Sequence, residues 1–398
     1  MIMRNKIKYL MFVSLALVLA ISLVAGACAK AVPEEGAEAE LEAELAAEKA
    51  KVTDLEDEVA DLEDEIEALR KPAKVWHWYP ATWCSAGLVW NQLSFISDTI
   101  TEASGGRIIC EPTATGAICP LKEMVDFVGS GATDAMMPYP DHYSGRAPIS
   151  VMFANGCYLL DTTEEMRHYL EGQSDGQVLK MTEEEWARLA NVVIVGPTYY
   201  PLEMILISRV PIDSIDDVPG IKFRCGDVPV SNAMGKLGAG VVWTEPTEIY
   251  TMLASGAIDA FTFGSTSESI AWGFHEVTKY WLKTPVMGPA LADAFIVNGD
   301  VWLELPDELK GVVKAAVEGG NAYMEYHAWV DIQKGWIEAE EAGMEVVEWS
   351  AADVLEWKKA VASFFPEYSK DGPSTEAIDI LKDFIKEWKP KLAEEIGL

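Results

Sequence analysis

Several side chains that commonly perform enzyme chemistry occur in this sequence, but their spacing does not predict a catalytic site. Two histidines in HExxH would bind zinc, a serine in GxSxG beside a base would act as a nucleophile, and CxxC would support redox chemistry. HExxH and CxxC do not occur, and no GxSxG serine is expected to act with a base. The five histidines are His77, His142, His168, His275 and His327. We therefore expect a protein that is not an enzyme.

The overall charge excludes one broad class of partner. The chain has 398 residues, with 31 Lys and Arg against 64 Asp and Glu, a formal net charge of −33. Because binding to a phosphate backbone requires basic side chains, nucleic acid is excluded as a partner. The length exceeds that of one ordinary domain, and a hydrophobic content of 49% can build a sizeable core. We expect two lobes plus additional segments.

The first 28 residues predict export and attachment to a membrane. Arg4, Lys6 and Lys8 precede the apolar run YLMFVSLALVLAISLVAG, and small residues follow up to Ala27 and Cys28, which is the pattern of a secretory signal. LVAGAC resembles a bacterial lipobox, which implies that Cys28 carries a lipid and becomes the mature N-terminus. A retained transmembrane anchor is the alternative. The implied location is extracytoplasmic, in the periplasm or on the outer face of the cytoplasmic membrane.

Five further cysteines follow Cys28, and no zinc-type spacing groups them. Outside the cytoplasm they could form disulfides, and Cys110 and Cys119 are the nearest pair in sequence. Because five is an odd number, at least one lacks an intrachain partner. Buried free thiols are the interpretation that we favour.

Residues 28–72 predict an acidic tether and a coiled-coil stalk. Apolar residues alternate at steps of four and three, with Glu48 as the interruption, and the repeating first position holds Leu45, Val52, Val59 and Ile66. This pattern favours a parallel two-stranded coil, and therefore a possible homodimer. A solvated single helix or a disordered tether is the alternative, because the like charges repel one another.

The remaining chain alternates strand-like and helix-like segments, and one pattern occurs twice. EMVDFVGSGATDA (Glu123–Ala135) matches EIYTMLASGAIDA (Glu248–Ala260) without a gap. Each copy predicts a helix, a turn at Gly131 or Gly256, and a strand, so we expect one copy in each of two α/β lobes. Ligands of open α/β sheets bind beyond the carboxyl ends of the strands, which places Tyr139 and Phe263 at a cleft.

The order of these segments is similar to the DctP-type substrate-binding proteins of TRAP (tripartite ATP-independent periplasmic) transporters. The resemblance depends on SIDDVPGIKFRCGDVPVSNAMGKLGAGVVWTEPTEIYTMLASGAIDAF together with ASGGRIICEPTATGAI, GFHEVTKYW and NGDVWLELPDELKGVV. It implies an α/β, two-lobe periplasmic-binding-protein-like fold with hinge strands and a long connecting helix. It also implies capture of a small organic acid and delivery to a TRAP-type membrane permease. The expected divisions are a lipoprotein signal peptide (1–27), the stalk (28–72), lobe I (73–198 plus about 290–330) and lobe II (199–289 plus about 331–398).

The resemblance also implies which residues bind the substrate. Arg224 in GIKFRCGD matches the arginine that holds the substrate carboxylate in the family, and a planar guanidinium offers two parallel donors for that purpose. An ordinary surface arginine in a salt bridge is the alternative. Replacing Arg224 by Ala is expected to weaken binding and to leave the stability of the empty protein little changed.

Two further positions bear on a metal. The chain looks closest to the 2-oxo-acid and lactate-binding branch, in which a glutamate helps to hold a metal that bridges to the substrate. Thr262 stands at that position here, and a hydroxyl is a poor ligand for a hard cation. Glu203 aligns loosely with a glutamine of that branch and could supply a carboxylate. No cofactor is assigned, and a bound Na⁺ or Ca²⁺ is left open.

Aromatic residues are expected to form the cleft walls. Tyr79, Tyr139 and Phe263 are the principal candidates, and Trp78, Tyr199 and Trp243 are more often core residues in such positions. The resemblance leaves one alternative function, a tethered ligand sensor or scaffold that has the same fold and no transport role.

Overall fold

The computed structural model describes residues 37–70, 74–201, 206–283 and 290–398. The signal segment with Cys28, the start of the tether and Glu203 lie outside the described residues. The chain divides into two compact units, residues 1–74 and 75–398. Within the described ranges, no helix combines the length and the apolar character needed to span a bilayer.

The first unit contains one long helix, α1 (Ala37–Arg70). Its 34 residues correspond to a length of about 51 Å at 1.5 Å per residue. Val52, Leu55, Val59 and Leu62 are half-buried, while the residues between them are exposed, so the apolar residues share one face. The stalk and its pairing with a second helix stay predictions.

The second unit is an α/β structure. Its strands are β1 (Trp76–Trp78), β2 (Ile108–Cys110), β3 (Ala135–Met136), β4 (Val192–Tyr200), β5 (Leu206–Ser208), β6 (Lys222–Arg224), β7 (Gly240–Val242), β8 (Ala260–Thr262), β9 (Tyr280–Leu282), β10 (Leu291–Asn298) and β11 (Glu345–Val347). Its α-helices are α2 (Leu88–Ala103), α3 (Met124–Gly129), α4 (Ser150–Asn155), α5 (Thr163–Arg167), α6 (Gln177–Ala190), α7 (Val228–Lys236), α8 (Ile249–Ser255), α9 (Thr266–Ala271), α10 (Gly299–Glu304), α11 (Asp307–Glu341), α12 (Ala351–Ala362), α13 (Phe365–Tyr368), α14 (Gly372–Trp388) and α15 (Pro390–Ile396).

The strands form two larger sheets, as expected for a two-lobe fold. The first sheet has the order β3-β10-β4. Strands β1 and β2 form a separate parallel pair earlier in the chain. The second sheet has the order β11-β9-β5-β8-β6-β7. Every residue of β10 is buried, because β10 pairs with β3 on one side and β4 on the other.

One long helix contacts elements of both sheets. Helix α11 packs against α2 and β4 of the first sheet and against α9, which follows β8 of the second. Gly320 and Gly335 mark the two contacts. A Cβ at Gly320 would lie 2.5 Å from Ile96 Cγ1, and a Cβ at Gly335 would lie 2.4 Å from Ser267 N. Glycine therefore permits the approach at both places, and α11 is the expected connecting helix.

The C-terminal helices also contact both sides. Helix α12 packs on α7 of the second sheet, whereas α14 packs on α4 and α6, which lie with the first sheet. Residues from about 331 to 398 were expected in lobe II. The amphipathic α14 buries its apolar face against α4 and α6. The lobe boundaries stay predictions.

The repeated pattern forms the same helix–turn–strand unit in both sheets. Helix α3 and strand β3 belong to the first copy, and helix α8 and strand β8 to the second. Gly131 and Gly256 have φ values of 75° and 74°. The hydrogen bonds that close the helices correspond position by position. They are Gly131 N to Val128 O and Ala132 N to Phe127 O in the first copy, and Gly256 N to Leu253 O and Ala257 N to Met252 O in the second.

Candidate ligand-binding site

A cavity lies between the two sheets. The second sheet and its loops contribute Arg224, Gly226, Asp227, Thr262 and Phe263, and the first contributes Trp83, Tyr139, His142 and Tyr200. The space inside it that a water-sized sphere can reach is about 40 Å³, well below the range of about 300 to 1,000 Å³ for small-molecule sites. The cavity is therefore narrow, and an organic ligand must widen it to bind.

Arg224 is the last residue of β6, and its guanidinium is held by backbone carbonyls. Nε and one terminal nitrogen donate to Thr244 O at 3.1 and 2.6 Å, and the other terminal nitrogen donates to Thr262 O at 3.2 Å. The residue is only 4% exposed, and burial lowers the pKa of the guanidinium from its usual value. Three of its five N–H groups are thus used to fix its plane, and two remain for a ligand.

These bonds correct one expectation about Arg224. Its side chain joins β6 to β8 and to the segment that follows β7. Arg224 therefore has a structural role, in addition to the two N–H groups that remain for a ligand. Replacing Arg224 by Ala would leave two buried carbonyls without their donor, which costs about 1–3 kcal/mol for each group. We therefore expect this substitution to lower stability, contrary to the expectation from the sequence.

Gly226 leaves the terminal nitrogens of Arg224 accessible. A Cβ at this position would lie 3.7 Å from both terminal nitrogens and 3.7 Å from His142 Nε2. The hydrogen atom of glycine therefore leaves open the space in front of the two nitrogens. A carboxylate can approach Arg224 there with both of its oxygens.

Two buried carboxyl groups face each other beside Arg224. Asp141 Oδ2 accepts a hydrogen bond from Val228 N at 2.6 Å, and Asp227 is the residue that precedes α7. Burial, followed by the charge of Asp227, raises the pKa of Asp141 to about 8. Burial also raises the pKa of Asp227. At neutral pH the pair therefore retains a proton.

A hydroxyl network lies next to this pair. The hydroxyls of Tyr139 and Tyr158 lie 3.2 Å apart, and Asn155 Nδ2 donates to Tyr139 Oη at 3.1 Å. Both hydroxyls favour the charged form of Asp227. Burial, followed by the charges of Arg224 and Lys122, lowers the pKa of His142 to about 3, so its imidazole is neutral.

Strand β10 holds the aromatic wall on the other side of the cavity. Asp293 accepts hydrogen bonds from Trp83 Nε1 at 3.1 Å and from Tyr200 Oη at 2.9 Å. The Trp83 ring meets Phe263 edge-on at a centroid distance of 5.6 Å. Both oxygens of Asp293 are therefore occupied in orienting the wall.

A second buried carboxylate links the two sheets. Glu268 belongs to α9, where it forms a capping box with Ser265, and it also accepts a hydrogen bond from Val89 N at 3.2 Å in the first turn of α2. Burial raises the pKa of Glu268 to about 7. Asp141 and Glu268 thus make reciprocal contacts, each with the beginning of a helix that belongs with the opposite sheet.

The structure brings together four of the residues expected to bind substrate, namely Arg224, Tyr139, Thr262 and Phe263. Tyr79 is 43% exposed and lies outside the cavity, because the alternation along β1 turns it to the surface. The three secondary candidates also lie elsewhere. Trp78 is in the core, and the Tyr199 hydroxyl donates a hydrogen bond to Glu171. The Lys122 ammonium group lies over the Trp243 ring, 3.7 Å from its centroid.

Sequence reasoning missed Trp83, His142, Tyr200 and Asp227. Asp227 had a detectable signal, because it stands three residues after Arg224 at the same strand-to-helix junction. His142 follows Tyr139 and also comes shortly after a strand end, that of β3. Trp83 and Tyr200 reach the cavity only through tertiary packing, and no local sequence pattern marks them.

The described residues do not provide an evident metal site. Across the four described ranges, no group of three or more His, Cys, Asp or Glu residues is arranged to hold an ion. Thr262 uses its backbone oxygen to accept from Arg224, and its hydroxyl lies 3.3 Å from Cys225 Sγ. The five described cysteines are buried and free.

GQSDG at residues 172–176 matches the spelling GxSxG, yet its surroundings differ from those of a catalytic serine. Ser174 is exposed and follows a π-helical turn (His168–Gly172), whereas a nucleophile of this type requires a preceding strand. The segment therefore does not support a hydrolase.

Comparisons with known proteins agree with this geometry. The family model DctP, described as bacterial extracellular solute-binding protein, family 7, matches residues 82–371. A monocarboxylate 2-oxoacid-binding periplasmic protein of Nostoc sp. is 22% identical over 229 residues, which are 58% of this chain and 61% of that protein. The matched part thus spans about three fifths of that relative.

Two solved structures share the fold. A TRAP transporter solute-binding protein of Bordetella bronchiseptica, with copurified calcium and picolinate, has a TM-score of 0.70 at 18% identity, covering 81% of this chain and 97% of that one. The receptor DctP7 of Bordetella pertussis, which binds pyroglutamic acid, has a TM-score of 0.68 at 15% identity, covering 77% and 99%. At these identities the likeness shows the fold alone.

Proposed function

Because this chain belongs to the DctP family of bacterial extracellular solute-binding proteins, we propose that it captures a small organic acid in the cavity between its two sheets and delivers it to a TRAP-type membrane permease. The substrate carboxylate binds the free edge of Arg224, and the aromatic wall of Trp83, Tyr200 and Phe263 contacts the rest of the molecule. The ligand is bound and released without chemical change.

The observation that carries this proposal is the state of Arg224. A buried guanidinium with three N–H groups tied to carbonyls and two N–H groups directed toward open space is a ready receptor for a planar anion. Gly226 keeps that space open. The named ligands of the relatives, 2-oxoacid, picolinate and pyroglutamic acid, support an organic acid as the ligand class.

The binding step can be tested directly. The purified protein should be analysed by native mass spectrometry for a co-purified ligand and titrated by calorimetry with monocarboxylates, dicarboxylates and sugar acids. We expect saturable binding of at least one acid, with one molecule per chain. Absence of heat and of protection against thermal unfolding across the whole panel would contradict the proposal and favour the sensor or scaffold function.

The N-terminal segments complete the proposal. A lipid on Cys28 anchors the protein on the extracytoplasmic side of the membrane, and α1 holds the binding unit away from the surface as a two-stranded coil. Support comes from the lipobox-like LVAGAC and from the single apolar face of α1. Metabolic labelling with a radioactive fatty acid tests the anchor, and Cys28→Ala is the matching control that should abolish the label.

A further inference from the structure

The cavity combines one cationic side chain with buried acids. Arg224 is the cation, and His142 is neutral. The charges of Asp227 and Glu245 act on Arg224, and burial raises the pKa of both carboxyl groups. A ligand with one carboxylate and no positive group would add a buried negative charge beside these acids, which is costly.

The carboxyl pair also has acceptor atoms without a close donor. Asp227 Oδ1 and Asp141 Oδ1 are buried and have no hydrogen-bond partner at normal distance among the described residues. The nearby hydroxyls of Tyr139 and Tyr158 act on Asp227, and that of Ser144 acts on Asp141. Asp227 is 4% exposed, and it lines the cavity. Buried polar atoms are normally paired, so Asp227 Oδ1 can take a donor from a ligand in the cavity.

The two recognition groups lie on one short connection. Arg224 ends β6 and Asp227 precedes α7, with only Cys225 and Gly226 between them. Gly226 lies against the terminal nitrogens of Arg224, so the positive and negative groups flank the same part of the cavity. A compact molecule can therefore reach both.

We propose that the ligand is an amino-carboxylic acid in its zwitterionic form, whose carboxylate binds Arg224 and whose ammonium group donates to Asp227 Oδ1. This inference rests on the proposed function and adds the second recognition group. A zwitterion adds no net charge to the buried site, gives Asp227 Oδ1 a donor, and has opposite charges only a few bonds apart. The hydroxyls of Tyr139 and Tyr158 border the ammonium position.

The titratable groups that face Asp227 come from several elements. They are Asp141, Asp293, Tyr139, Tyr158, Tyr200, Arg224 and Cys225, with Lys122 acting on Asp141. Burial raises the pKa of Asp227, Asp141 and Asp293. Proton exchange on binding therefore reports on these carboxyl groups.

Matched ligands provide the test. Alanine, lactate and pyruvate share one carbon skeleton and differ in the group at carbon 2, as do phenylalanine, phenyllactate and phenylpyruvate. Calorimetry on the full chain should show that the amino acid of the bound series binds about 10- to 100-fold more tightly than its hydroxy or oxo counterpart, the worth of a hydrogen bond between charged groups. In Asp227→Asn this preference should disappear. Asp216→Asn changes an exposed carboxylate in the same way and should keep the preference.

Proton counting tests the inference without a variant. Titrations in buffers of different ionisation enthalpy should show almost no proton uptake when the amino acid binds. Binding of its hydroxy counterpart should take up about one proton, because a carboxyl group of the site must be neutralised. Equal affinities within a series, or binding that requires a divalent metal and is lost with EDTA, would overturn the inference and leave organic-acid capture standing. Failure of every acid and amino acid to bind would instead contradict the proposed function.

Discussion

Asp141 and Val228 join the two sheets through a hydrogen bond of 2.6 Å between the Asp141 carboxylate and the Val228 amide. Val228 is the first residue of α7, and the preceding residue Asp227 makes no capping hydrogen bond of its own. The beginning of α7 is thus capped by a residue that follows β3 of the other sheet. Glu268 and Val89 form the reciprocal contact. Each contact thus joins a buried carboxyl group on one side to the first turn of a helix on the other side.

The charge of Asp141 should make stability depend on pH. Because burial raises the pKa of this carboxyl group to about 8, the folded protein holds a proton that the unfolded chain releases above about pH 4. This contribution to stability is complete below pH 4 and is lost as the pH rises toward 8. Urea unfolding should thus show falling stability between pH 5 and pH 8, with Asp141 contributing at most about 1.4 kcal/mol per pH unit.

The Asp141→Asn variant is the matched test of that dependence. Its amide keeps an acceptor for Val228 N and supplies a permanent donor toward Asp227, as the protonated carboxyl does. We expect a smaller pH slope and higher stability than the unmodified protein at pH 8. Asp216→Asn should behave like the unmodified protein, and an unchanged slope in Asp141→Asn would refute the assignment.

The Gly226→Ala variant should lose ligand binding and remain folded. The new Cβ would make ordinary contacts of 3.7 Å with Arg224 and His142, and the backbone at Gly226 is not left-handed. It would nevertheless occupy the space in front of the guanidinium, so we expect at least a 10-fold loss of affinity by calorimetry. Gly145→Ala, where a Cβ meets no atom within 4 Å, is the control. Full affinity in Gly226→Ala would place the carboxylate elsewhere.

Arg224→Lys should separate charge from geometry. Lysine keeps the positive charge but cannot offer two parallel donors, so carboxylate affinity should fall about 10- to 100-fold. Stability should fall by about 1–3 kcal/mol, because Thr244 O or Thr262 O loses a donor. Arg107→Lys, in an exposed ion pair with Glu308, is the matched control and should change neither quantity. Unaltered affinity would exclude Arg224 as the receptor.

Glycine should be required at the contact between α11 and α9. In Gly335→Ala the Cβ would lie 2.4 Å from Ser267 N and 2.6 Å from Thr266 Oγ1, so the helices must separate. We expect a loss of about 1–3 kcal/mol in urea unfolding, as for overpacked cores. Gly311→Ala in the same helix meets nothing within 4 Å and should be neutral or stabilising by up to about 1 kcal/mol. Equal effects of the two changes would argue against tight packing at Gly335.

The stalk should determine the oligomeric state. A charge at position 59 disrupts an apolar seam, so Val59→Asp should convert a dimer into a monomer, as measured by light scattering after size-exclusion chromatography. Thr53→Asp places the same charge at an exposed position and should leave the dimer intact. A monomeric unmodified protein would contradict the coil.

The local features of the fold could be predicted from sequence. The Gly131 and Gly256 turns, the two helix–strand copies and the positions of Tyr139 and Phe263 at strand ends all depend on residues near one another in the chain. Family membership was also confirmed. The placement of Tyr79 could not be settled in this way, because a single strand does not reveal which of its faces meets the opposite sheet.

The sequence by itself determined the alternation of strands and helices and the arginine at the end of β6, because periodicity and glycine positions act locally. Only the tertiary structure decided that the charge of Asp227 acts on Asp141, that His142 is neutral and that Arg224 is tied to two carbonyls. Those properties depend on desolvation and on contacts between residues far apart in the chain, so they exist only once the two sheets have met.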